Sequence, residues 1–146
     1  MKERENRISW NNLFIEISKL VAQRSPDPHT QVGAVIVKNN RILSIGYNGG
    51  ISNFNYDFDW SDSSKYTFCV HAESNALANA AKIGANVDGA DIYLTLSPCK
   101  DCIKLLIQSG IKNVYYISEY GDIETTKLIA NSTKTISLCK VEENKE

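Results

Sequence analysis

From residue 32 onward the chain switches repeatedly between strand-like and helical spacing, and this alternation constrains its fold more than any other feature. Residues 32–37 and 41–47 are apolar and β-branched on either side of Asn39-Asn40, a pair suited to a tight hairpin turn. Residues 71–83 are Ala-rich with helical spacing and stop before Gly84, and residues 91–96 read as a buried strand. Residues 99–109 predict a helix closed by Gly110, residues 113–118 a strand, residues 122–131 a helix and residues 134–138 a last short strand. A hairpin followed by strand, helix, strand, helix can bury its apolar faces in a mixed sheet with parallel crossovers and helices on both faces. The predicted class is therefore α/β.

Ahead of this region Ile8, Leu13, Phe14, Ile17, Leu20 and Val21 recur at three-and-four spacing, which predicts a helix over residues 8–24. It should end near Ser25-Pro26-Asp27-Pro28, where two prolines bar continuation. Residues 46–65 are rich in Gly, Asn, Ser, Asp and aromatics and show little period, so they read as a loop at a pocket rim. The charged tail, residues 142–146, is expected to fray.

A chain of 146 residues, 42% hydrophobic, can bury one substantial core and is too short for two ordinary domains, so residues 1–146 read as one domain. Lys and Arg number 16 against 17 Asp and Glu, a net charge of -1, which argues against a protein that grips a nucleic-acid polymer by its phosphates. A small anionic ligand needs only one or two basic groups and stays allowed. No apolar run approaches the roughly 20 residues of a membrane helix, and residues 1–7 are too polar for a secretory signal. The expectation is a cytoplasmic protein, in the host cytoplasm if viral, with no membrane partner. In such a reducing compartment Cys69, Cys99, Cys102 and Cys139 suggest metal binding or catalysis before disulfides.

Two short motifs carry the chemistry: Cys69-Val70-His71-Ala72-Glu73 and Ser97-Pro98-Cys99-Lys100-Asp101-Cys102. A catalytic zinc takes three protein ligands and leaves a fourth position to water, whose pKa falls to roughly 7. His71, Cys99 and Cys102 supply that set. Cys99 and Cys102 are three apart at a predicted helix start, so both sulfurs leave one face and gain from the helix end that favours thiolates. Glu73 lies about 200° around an ideal helix from His71, so it need not share the metal and can face a bound base as a proton shuttle.

Each residue also has a plainer reading. His71 alone would be a structural histidine, and Cys-x-x-Cys alone a redox pair or half of a structural zinc site. Cys69 is a small core residue or the fourth ligand of a closed site, and Cys139 reads as packing. Asn48 beside Gly49 can be a turn residue, and Arg24 can cap the first helix. Tyr56, Phe58 and Trp60 read better as a loop packed by its own aromatics than as a nucleotide-stacking cluster. A closed structural zinc module that binds nucleic acid or protein would need a fourth ligand and has no use for Glu73.

His-x-Glu followed by Pro-Cys-x-x-Cys is the signature of zinc nucleobase deaminases. Beyond it, Ala22-Gln23-Arg24-Ser25 with Asp27-Pro28, Gln31-Val32-Gly33-Ala34, Gly46-Tyr47-Asn48-Gly49, Lys65-Tyr66 and Gly110-Ile111-Lys112 make the chain resemble the deoxycytidylate (dCMP) deaminase family over residues 10–120. The resemblance implies a three-layer α/β/α cytidine deaminase-like fold with a five-stranded mixed sheet, one catalytic Zn2+, and a homo-oligomer with a hexamer favoured. It implies hydrolysis of dCMP to dUMP and ammonia for dTTP synthesis, with hydroxide adding at C4 while Glu73 relays protons to N3 and the leaving amine. It further implies Asn48 at the sugar hydroxyl, the backbone of Ala72 and Ser97 at the base edge, Arg24 near the phosphate, and Tyr120 with Asp122 in the family's Tyr-x-Asp pattern. Arg24 also leads by elimination, because the chain's other arginines are Arg4, Arg7 and Arg41.

The chain departs from the family in three places, one of them the short stretch after Ser118 that carries Tyr120 and Asp122. The family has a proline soon after the Asn-Gly pair, in a loop that helps bind a regulatory nucleotide, whereas here Gly49-Gly50-Ile51-Ser52-Asn53-Phe54 follows. Effectors dCTP and dTTP, with Mg2+, therefore stay optional. His29 has no cysteine partners nearby in sequence, so the extra structural zinc of some viral relatives is not expected. The rival enzymes share the fold: deaminases of dCTP, cytidine, guanine or tRNA adenosine.

Overall fold

A computed structural model describes residues 1–53, 60 and 64–143, apart from the side chains of Ser64 and Lys65. The first helix, α1 (Trp10–Ala22), begins at Ser9, whose hydroxyl accepts the Asn12 N–H at 3.1 Å. That bond satisfies one of the donors a helix start leaves open. The helix stops at Ala22, short of the expected Arg24, because Gln23, Arg24 and Ser25 turn their N–H groups to carbonyls three residues back and Pro26 disfavours helical backbone at Ser25. The apolar face is also rotated from expectation: Phe14, Ile15, Val21 and Ala22 are buried, while Ile8 and Leu20 stand 50% and 63% exposed.

Strands β1 (Gly33–Lys38) and β2 (Arg41–Tyr47) form the predicted hairpin, with Asn39 and Asn40 at φ 53° and 60°, the left-handed pair that a two-residue turn of this hand requires. Within residues 46–65, expected to be loop, lie β3 (Gly49–Gly50) and the start of α2 (Ser64–Phe68); β3 pairs antiparallel with β4 (Cys69–Val70), just beyond that segment. Then come α3 (Ala72–Ile83), β5 (Asp91–Leu96), α4 (Lys100–Gln108), β6 (Asn113–Ser118), α5 (Ile123–Asn131) and β7 (Ser137–Lys140). The last strand lies three residues beyond its predicted start, since its register is set by pairing Ser137 with Asn113 of β6.

The five-stranded sheet has the order β2-β1-β5-β6-β7, antiparallel on both sides of β1 and parallel from β5 to β7. Alternation divides its side chains between two layers. Ala34, Ile36, Ile92, Leu94, Val114 and Tyr116 pack with Ala76 of α3, Ile103 and Leu106 of α4 and Ala130 of α5. Val35, Val37 and Tyr93 pack on the other face with Phe14, Ile15 and Val21 of α1. The expected three-layer α/β/α arrangement with a five-stranded mixed sheet is what these contacts build. Each fully buried Ile or Leu here is worth about 1.5–3 kcal/mol of burial. Among the described residues no helix is long and apolar enough to cross a membrane.

Two glycines set the helices against the hairpin. A Cβ on Gly33 would lie 2.0 Å from the Ser18 carbonyl oxygen and 2.7 Å from the Ala22 nitrogen, so α1 rests directly on β1 backbone. A Cβ on Gly46 would lie 2.4 Å from the Ala76 nitrogen and 2.5 Å from the Ala72 carbonyl oxygen. Gly46 is one residue from Tyr47, the partner of Gly33, and therefore faces the opposite layer. The first turn of α3 is seated by that contact.

Candidate active site

The site forms where α3 and α4 begin. His71 and Cys99 occupy the N-cap positions of α3 and α4 in extended backbone, and neither makes a side-chain cap bond. Their side chains are thereby left to each other. His71 Nδ1 lies 3.2 Å from the Cys102 sulfur and 3.6 Å from the Cys99 sulfur, and the three ligand atoms fall within 4.8 Å of one another. Tetrahedral zinc with usual bond lengths holds nitrogen and sulfur ligands about 3.6 Å apart, so one imidazole and two thiols at these separations fit the ion.

The electrostatics agree with that donor set. The Cys99 thiol is pushed down to about 3, first by its hydrogen bond with Cys102 and then by that with His71. Cys102, 2% exposed, is pushed up by the Cys99 hydrogen bond and by burial. The hydrogen bond between the two sulfurs favours charge on one of them, and a zinc ion held there would favour thiolate at both. The His71 imidazole is raised, chiefly by the Cys99 hydrogen bond and against the effect of burial. Two helix starts facing one point add a positive field that favours thiolate.

Glu73, in the first turn of α3, is 5% exposed, and burial pushes its carboxyl up to about 7. It stays outside the ligand cluster yet lines the same pocket, together with His71, Ala72, Ser97, Cys99 and Asn48. The pocket opens beyond the carboxyl end of β5, where ligands of open α/β sheets commonly sit.

The substrate candidates divide. Asn48 lines the pocket with its amide held by backbone: Nδ2 donates to the Thr30 carbonyl at 2.9 Å and Oδ1 accepts the Val32 N–H at 2.8 Å. One amide hydrogen and one lone pair remain for a ligand. Ala72 and Ser97 are 1% and 4% exposed in the wall, and Tyr120, 56% exposed, stands at its mouth. Arg24 is not in the wall; its guanidinium lies over the Tyr47 ring, 5.8 Å from the centroid. Among the described residues no lysine or arginine lines the pocket. Cys69 lines it without joining the ligand cluster, and Cys139 lies in β7. Tyr56 and Phe58 fall outside the described residues.

Sequence reasoning assigned no role to Asp27, Thr30, Val32 or Tyr66, which also form the wall. Asp27, 2% exposed, accepts the N–H groups of His29 and Thr30 at 2.8 and 3.3 Å and so shapes the turn that carries Thr30. Its place before Pro28, in a block quoted for family resemblance, was the available signal.

A three-layer domain in which one imidazole and two thiols converge beside a buried glutamate has the fold and donor set of the zinc-dependent deaminases. The chain belongs to the cytidine and deoxycytidylate deaminase family: residues 8–118 match the model of the cytidine and deoxycytidylate deaminase zinc-binding region. It is 44% identical over 117 residues to ComE operon protein 2 of Bacillus subtilis, which covers 78% of this chain and 62% of that protein. It is 42% identical over 134 residues to the deoxycytidylate deaminase of Mus musculus, covering 86% of this chain and 74% of that one. The crystal structure of dCMP deaminase from the cyanophage S-TIM5 in complex with dCMP and dUMP superposes with a TM-score of 0.78 at 34% identity, over 90% of this chain and 96% of that chain.

Proposed function

We propose that the chain hydrolyses dCMP to dUMP and ammonia, with His71, Cys99 and Cys102 holding a catalytic zinc and Glu73 moving the protons. The observation that carries this reading is the convergence of the three ligand atoms beside a buried carboxylate that is not itself a ligand. When bound, the zinc supplies Lewis acidity that brings the pKa of a coordinated water to about 7, so that hydroxide is available at neutral pH. Glu73 would take one proton from the attacking water and give it to N3, then take the second from the hydroxyl now on C4 and give it to the departing amine. A C4–O single bond would form first at the expense of the C4=N3 double bond; the C4–N bond to the amine would then break as the oxygen becomes a carbonyl, and the amine would leave as ammonia.

The remaining wall residues orient the base and sugar. Backbone groups of Ala72 and Ser97 meet the base edge, and Asn48 offers its free donor and acceptor to the sugar hydroxyl. Tyr120 closes the mouth. Arg24 reaches the phosphate by leaving the Tyr47 ring, which a long guanidinium side chain can do at small cost from an exposed position. Supply of dUMP for dTTP synthesis, a cytoplasmic place of action and assembly into a homo-oligomer follow the family.

Ammonia release measured across dCMP, dCTP, CMP, deoxycytidine and adenosine tests the substrate. Turnover fastest on dCMP is the expected result, and a preference for deoxycytidine or adenosine would move the chain to another branch of the fold. In the same assay Arg24→Ala is expected to weaken dCMP by more than tenfold, the scale of a lost charge-assisted bond, and to leave deoxycytidine nearly unchanged. Equal losses on both substrates would remove Arg24 from phosphate binding.

A further inference from the structure

Cys99 follows the turn Ser97-Pro98, which joins β5 to α4, and this turn is tied down from α5, an element that holds no ligand. Thr126 of α5 is 1% exposed and donates its hydroxyl to the Pro98 carbonyl at 2.8 Å. A helical threonine ordinarily turns that hydroxyl back to a carbonyl of its own helix. Here it crosses to another segment. Ser97 provides a second tie: its hydroxyl accepts the Tyr120 N–H at 2.8 Å and donates to the Tyr120 carbonyl at 3.3 Å.

The Pro98 carbonyl belongs to the peptide unit whose nitrogen is that of Cys99. Rotating this plane swings the Cα–Cβ bond of Cys99, and with it the sulfur that must sit 3.6 Å from His71 Nδ1. Groups one bond removed from a metal ligand commonly fix its orientation in this way. We propose that Thr126 is a positioning residue of the metal site, holding the Pro98–Cys99 peptide plane so that the Cys99 sulfur meets His71 and Cys102. The proposal rests on the zinc reading of those three ligands and extends it to a residue 27 positions beyond Cys99 in the chain.

A buried hydroxyl that merely satisfied a carbonyl would affect stability and leave metal affinity alone. The test is therefore Zn2+ affinity, measured on metal-stripped protein by competition with a chromophoric chelator, alongside thermal melting. Thr126→Val keeps the shape and removes the donor, and is expected to weaken zinc 10- to 100-fold. Thr126→Ala should do the same, and Thr126→Ser, which keeps the hydroxyl, should restore parental affinity. Parental zinc affinity in either hydroxyl-free variant overturns the proposal. So does failure of both to fold, since the hydroxyl would then be holding the domain rather than the ligand turn. Because the assay reads zinc and no nucleotide, a wrong substrate assignment would leave its result intact.

Discussion

Glu73→Ala is expected to keep one zinc per chain and to lose about 10²–10⁴-fold in the rate of ammonia release from dCMP, the range for removing a positioned general acid and base. The two halves of the result separate its roles. Glu73 lies outside the cluster of His71, Cys99 and Cys102, so its removal takes no donor from the metal. It is nonetheless 5% exposed and lines the pocket, so no bulk water replaces it as a proton carrier. Metal content and steady-state turnover on one preparation check both. Near-parental ammonia release would remove Glu73 from the chemistry, and loss of zinc would make it a ligand.

Gly46→Ala should damage both the fold and the site, because its methyl group would meet the backbone that starts α3. The new Cβ would lie 2.4 and 2.5 Å from backbone atoms of α3, and backbone cannot rotate aside as a side chain can. Overpacking of this kind typically costs 1–3 kcal/mol, and with both contacts to rigid backbone we expect about 3 kcal/mol or more. The displaced element carries His71 at its N-cap and Glu73 in its first turn, so zinc and turnover should fall with stability. A urea midpoint that moves by under about 1 kcal/mol would show that α3 can slide without harm.

The parts of this architecture that local chemistry dictates could be read from the chain. Asn39-Asn40 set the hairpin, Gly84 ends α3 at φ 74°, and the spacing of Cys99 and Cys102 puts both sulfurs at one helix start. What needed the folded chain was decided by distant partners. The ladder between Gly49–Gly50 and Cys69–Val70 has no local signal, because glycine has no strand preference and the pairing closes a long loop. The position of β7 followed its register on β6 rather than its own apolar pattern. Arg24 showed the limit for the site: its type suits a phosphate, but sequence does not tell where a side chain on the rim of a turn will rest, and it lies on Tyr47. The buried place of Thr126 was equally invisible, since an isolated threonine in an amphipathic helix carries no mark of its partner.

The two residues that open α3 and α4 are an imidazole and a thiol, where serine, threonine or aspartate would ordinarily satisfy the exposed amides. Giving up such closures sacrifices about 1 kcal/mol at each end. Each helix still closes its first backbone bond, Asn75 N–H to the His71 carbonyl and Ile103 N–H to the Cys99 carbonyl at 2.9 Å each, which leaves the imidazole and the thiol free to face one another. The same two residues therefore serve as the boundaries of two helices and as donors at one point, so the places where α3 and α4 begin are fixed by the needs of the site rather than by local capping.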